Sequence, residues 1–81
     1  MSEHRPRPLS RLAPGQTARV VALGGGRAFQ ARLVSMGLLV GSLIKVIGAT
    51  GSTRGATLVA VGPMRLGIGR GMAERIMVTL V

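Results

Sequence analysis

Apolar and polar residues alternate from Thr17 to Leu23, with Ala18, Val20 and Ala22 on one side and Thr17, Arg19 and Val21 on the other. Period two describes a half-buried strand, and Gly24-Gly25-Gly26 ends it. The period then changes. Phe29, Leu33 and Met36 recur at i, i+4 and i+7 while Arg27, Gln30 and Ser35 point elsewhere, which predicts a short amphipathic helix over Arg27–Met36. Gly37 stands where a left-handed C-terminal cap favours a residue without Cβ. A helix of about ten residues is marginal alone and must be held by packing on strands.

From Leu43 the chain returns to strand patterning. Leu43–Ile47 is apolar and β-branched, and Thr57–Val61 follows the Gly48–Gly55 loop. After the Gly62-Pro63 turn, Met64, Leu66 and Ile68 alternate with Arg65 and Gly67. Gly71–Arg75 forms one helical turn, and Ile76–Val81 is a final strand with Ile76, Val78 and Leu80 on one face. Ahead of the first strand, Leu9–Leu12 reads as a short apolar turn and Pro14-Gly15 as a chain reversal. Residues 1–8 read as a disordered arm, because Arg5-Pro6-Arg7-Pro8 neither starts a helix nor lends donors to a sheet. The expected organisation is this arm followed by a single domain over 9–81. About five short strands, one short helix and Gly-rich turns predict a mainly β, closed or nearly closed small barrel. Closure removes the unpaired edges that so small an apolar sheet would expose.

Composition narrows what such a barrel does. Its 81 residues include 11 Lys+Arg and 2 Asp+Glu, a formal charge of +9, and Lys45 is the only lysine. Without cysteine there is no disulfide, thiolate metal site or thiol nucleophile. His4, Glu3 and Glu74 are the whole supply of imidazole and carboxylate side chains. That is too few for a hydrolytic triad or a closed metal cage, so the expectation is no enzyme, no resident metal and no cofactor. The glycines match neither G-x-x-x-x-G-K-[ST] nor G-x-G-x-x-G, and read as turns and strand bends. A hydrophobic fraction of 47% argues against disorder of the whole chain. The Arg/Pro-rich N-terminus does not resemble a signal peptide. The charge-free run between Arg32 and Lys45, 12 residues long, falls short of the ~20 that a spanning helix needs. A cytoplasmic location is expected.

The arginines form no local run, so their charge reads as solubility and as steering toward acidic protein, anionic lipid or nucleic acid. Small barrels that bind nucleic acid add aromatic platforms for the bases. Phe29 is the one aromatic residue and its helical phase assigns it to the core, which makes charge-driven nucleic-acid binding the weaker alternative. The same scarcity argues against a groove for Pro-rich peptides. Leu38-Leu39-Val40 lies on the connection between helix and strand, where three consecutive apolar residues mark an interface. Leu38, Leu39 and Val40 are therefore the candidate contact residues, with Arg32 and Lys45 as a polar rim. Leu38 is the one best suited to folding back onto the core. The surface would meet another protein or a second copy of the chain.

Three segments share an order and spacing: LSRLAPGQTARVV (Leu9–Val21), RLVSMGLLVGSLIKV (Arg32–Val46) and GPMRLGIGRGMAERIMV (Gly62–Val78). The first has a Leu-rich turn and Pro-Gly ahead of a strand. The second has Arg-Leu, a helix-ending glycine, an apolar loop, a second glycine and a strand. The third has a glycine, a strand, an arginine, a short helix and Ile-x-Val. Together they resemble the FeoA family, small cytoplasmic proteins of bacterial ferrous iron uptake, over nearly everything from Leu9 onward. The resemblance implies an SH3-like β-barrel and an accessory role beside the ferrous iron permease. Contact with the permease's cytoplasmic part would place the chain at the inner membrane without inserting it. Val40 stands where the family often carries proline, the 49–56 connection lacks a Pro-containing turn, and Gly69 and Gly71 replace residues more often large or acidic. The fold also occurs as the C-terminal domain of iron-dependent repressors, but no helix-turn-helix fits into this chain beside the barrel.

Overall fold

The computed structural model describes residues 5–49 and 56–81. The expectations for His4, for the first four residues of the arm and for residues 50–55 of the loop lie outside them. Six strands form one antiparallel sheet: β1 (Arg7–Pro8), β2 (Thr17–Leu23), β3 (Leu43–Ala49), β4 (Thr57–Val61), β5 (Met64–Ile68) and β6 (Ile76–Leu80). Their spatial order is β1-β6-β2-β3-β4-β5. Helix α1 (Gly26–Ser35) links β2 to β3, α2 (Arg70–Ala73) links β5 to β6, and a 3-10 turn over Leu9–Arg11 follows β1. The inward rows supply the core: Ala18 and Val20 of β2, Ile44 and Val46 of β3, Val59, Ile68, and Ile76 and Val78 of β6, all buried. Leu33 of α1 and Leu9 of the 3-10 turn close it at two places.

Two elements differ from the sequence expectation. Arg7–Pro8, assigned to the arm, pairs with Val78 and Met77 of β6. Pro8 is admitted because β1 is an end strand, where a residue without an N–H breaks no ladder. In β2 the inward phase holds for Ala18 and Val20 but not for Ala22, which is exposed. A bulge between Val20 and Ala22 shifts the register against β6, so Leu23 packs toward the core in its place. A second bulge between Val46 and Gly48 interrupts β3 against β4. Each adds the local twist that bends so small a sheet around its core, and each leaves an apolar residue, Val21 or Ile47, facing solvent.

Helix α1 begins one residue earlier than its pattern predicts, and its face is as expected: Leu33 is buried, and Phe29 and Met36 pack against the core. Its start is tied to β2 and β6. Gln30 Nε2 donates to Leu23 O at 2.8 Å, and Gly24 N donates to Arg75 O at 2.8 Å. The Arg75 guanidinium lies 5.8 Å from the Phe29 ring centre, a cation–π contact.

Candidate partner interface

The connection from α1 to β3 is built by two glycines. At the helix end Gly37, with φ +92°, takes the left-handed cap conformation. Gly37 N donates to Val34 O and Leu38 N to Leu33 O, both at 2.9 Å. That pair of bonds is the Schellman motif, and it sets Leu38 directly against Leu33, the hydrophobic contact that accompanies it. Leu38 is accordingly 0% exposed. It is a core residue, and its place among the contact residues is corrected on that ground.

Beyond Leu38 the chain turns again. Ser42 N donates to Leu39 O at 3.0 Å, closing a four-residue turn, and Ser42 Oγ accepts from Leu39 N at 3.0 Å. Gly41 sits third in this turn at φ +98°, the type II pattern, whose second position accepts proline readily. Val40 holds that second position, so the departure from proline leaves the turn intact. Gly41 N donates to Val20 O at 2.7 Å and Val20 N to Ser42 O at 2.9 Å, which fastens the turn to β2. Leu39 and Val40 are thus displayed on a backbone whose polar groups are engaged, and they are 47% and 60% exposed.

Their surroundings extend the apolar surface. The register sets Arg19 opposite Leu43, and Val21 lies diagonal to Leu43 on the same outer face. Leu43 and Val21 are both exposed. Arg19 crosses this face, its Nη1 donating to Gly41 O at 3.0 Å. Arg19 thus adds a cation beside Leu43 to the Arg32 and Lys45 expected from the sequence. The alternation of β2 marked Arg19 as outward, but its contact with a residue 22 positions away needs the β2–β3 register. Arg32 is exposed in the last turn of α1, and its carbonyl accepts from Ser35 Oγ at 2.7 Å. Lys45 shares the outer face of β3 with Leu43 and lines a separate cleft of about 590 Å³ with Met64 and Arg65.

Folding also gathers charge that is scattered in sequence. Arg5, Arg7 and Arg11 line one shallow cleft at the β1 end of the sheet. Glu74 is the only acidic side chain among the described residues, and it lies 4.0 Å from Arg70 on α2. Among the described residues no other acidic side chain offsets the remaining cations. Among the described residues no group of three or more His, Cys, Asp or Glu is placed to hold a metal ion. No helix among them is long and apolar enough to cross a membrane.

Comparisons with known proteins agree with this architecture. The FeoA domain matches residues 7–80. A protein of Methanocaldococcus jannaschii named "Putative Fe(2+) transport protein A" is 35% identical over 71 residues, 88% of this chain and 83% of that protein. The crystal structure of an iron uptake regulatory protein (FeoA) superposes with a TM-score of 0.83 at 38% identity, covering 95% of this chain and 99% of that one. A manganese-dependent transcriptional repressor shares the fold alone, with a TM-score of 0.82 at 22% identity over 94% of this chain and 42% of its own. The common fold is a small SH3-like β-barrel, here with the two-residue β1 as a sixth strand.

Proposed function

The chain belongs to the FeoA domain family, and from that premise we propose that it is a non-enzymatic accessory protein of bacterial ferrous iron uptake, acting by contact with the cytoplasmic part of the ferrous iron permease. The observation that carries this reading is the apolar face of Val21, Leu39, Val40 and Leu43, held open on a turn fastened to β2. Iron in this role is the cargo of the partner and needs no ligands here. The arginine-rich surface steers the protein to the cytoplasmic side of the inner membrane and to acidic protein surface beside it.

Covering the exposed parts of Leu39 and Val40 stabilises a complex by about 1 kcal/mol each. Leu39→Asp removes one contribution and buries a charge in apolar contact, so it weakens binding by about tenfold or more. The test is capture of this protein on the immobilised cytoplasmic region of the permease. Capture by wild type and loss in Leu39→Asp, with unchanged melting temperature, supports the reading; no capture by wild type overturns it. The charge favours one rival, nucleic-acid binding, which predicts affinity for mixed-sequence DNA that falls steeply with salt. Absence of DNA binding at low salt removes that rival.

A further inference from the structure

Strand β5 is one end of the sheet. It pairs with β4, and no backbone hydrogen bond to another described residue reaches its far side. The hairpin turn fixes which of its groups are free. Gly62 at φ +58° followed by Pro63 is the two-residue type II′ arrangement, in which the flanking Val61 and Met64 form a hydrogen-bonded pair. Bonded and non-bonded pairs alternate along an antiparallel ladder, so Val59–Leu66 is bonded while Ala60–Arg65 and Leu58–Gly67 are not. The N–H and C=O groups of Arg65 and Gly67 therefore point away from β4 to the open edge.

Two further observations concern the same strand. Gly67 has no left-handed φ, and a Cβ there would meet nothing within 4 Å. A mid-strand glycine free of both constraints suits the close approach of another backbone. Beside it, the register aligns Lys45, Ala60 and Arg65 across β3, β4 and β5. Lys45 and Arg65 line the 590 Å³ cleft together with the apolar Ile47, Pro63 and Met64, and no acidic side chain lines it. A free strand edge, room for a backbone and the Arg65 cation thus coincide, with the cleft on the adjoining outer face of β3–β5.

We infer that the β5 edge receives an extended acidic segment of a partner protein as an added strand. The segment pairs with the outward groups of Arg65 and Gly67, sets carboxylates beside Arg65, and lays an apolar side chain on Met64. This edge is distinct from the Val21–Leu43 face, whose α1–β3 junction Met64 approaches at Gly37, and the inference holds whichever protein carries the segment.

The test titrates the full chain, labelled with 15N, with a blocked peptide of about six residues alternating Glu and Val. The controls are the same peptide with Lys for Glu, the Glu peptide N-methylated at alternate residues, and oligothymidylate. Saturable binding of the Glu peptide is expected, with new hydrogen-exchange protection at the Arg65 and Gly67 amides. Arg65→Ala weakens it by up to about fivefold. Gly67→Pro removes an outward donor without touching the β4 ladder, and abolishes binding while Leu66 stays protected. N-methylation of the peptide does the same from the other side with the protein unchanged. Equal binding of the Lys or N-methylated peptide overturns the inference, as does protection confined to other strands. Equal affinity for oligothymidylate, which has no strand-forming backbone, also overturns it.

Discussion

The α1–β3 junction and the β4–β5 hairpin both turn on a glycine with positive φ and both expose apolar side chains, yet they leave opposite groups available. At the junction all but one of the donors are spent: Gly37, Leu38, Leu39, Gly41 and Ser42 donate to named acceptors and only the Val40 N–H does not, so the turn offers chiefly the side chains of Leu39 and Val40. At the hairpin one side of β5 is paired and the other carries free main-chain groups. Exposure alone does not define a docking surface. The first region offers apolar area on a rigid support, and the second offers a ladder to be extended.

The contrast breaks most sharply at the junction. Leu33→Ala or Leu38→Ala should lower stability by ~2–4 kcal/mol, read from the denaturation midpoint, because each empties one half of the buried helix-end contact. Met64→Ala on the hairpin should cost far less. Gly37→Ala comes next, at about 1–2 kcal/mol, since φ +92° disfavours any side chain and the new Cβ would stand 2.9 Å from Met64 Cε. Met64 is the one point where the two regions touch. Adding Met64→Ala to Gly37→Ala should recover the crowding part of the loss and leave the backbone part, a coupling that a double-mutant cycle measures. Val40→Pro should be stabilising by ~0.4–1 kcal/mol, because the second position of the turn already suits proline and no hydrogen bond is given by the Val40 N–H. Leu39→Asp should change stability by no more than about 0.5 kcal/mol while removing partner capture. A large loss of stability there would place Leu39 in the core beside Leu38.

Local pattern carried the elements well. The alternation of Thr17–Leu23, the 3.6-residue phase of Phe29 and Leu33, and the glycine after Met36 each act within a few residues, and the strands, helix and cap follow from them. The phase of β2 past Val20 did not follow, because a bulge is set by the register against β6 and leaves no mark of its own in the alternation. Pro8 in a strand was illegible for a related reason: its tolerance depends on β1 standing at the end of the sheet. The candidate interface was half legible. Leu39 and Val40 announced themselves as an apolar connection, while Arg19, Val21 and Leu43 joined them only through the pairing of β2 with β3. The free groups of β5 required the strand order and the turn type together.

Phe29 is the only Phe, Tyr or Trp in the chain, and that gives the helix–strand contact at Gly25 and Arg75 its own spectroscopic signature. A Cβ built on Gly25 would stand 2.7 Å from Phe29 Cδ2, and the Arg75 guanidinium carbon lies 5.8 Å from the ring centre, so protons of both residues sense the ring. The His4 imidazole is the one other aromatic ring in the sequence. The ring-current shifts of those protons therefore report the docking of α1 on the barrel without a probe being introduced, and their return to random-coil positions marks its release.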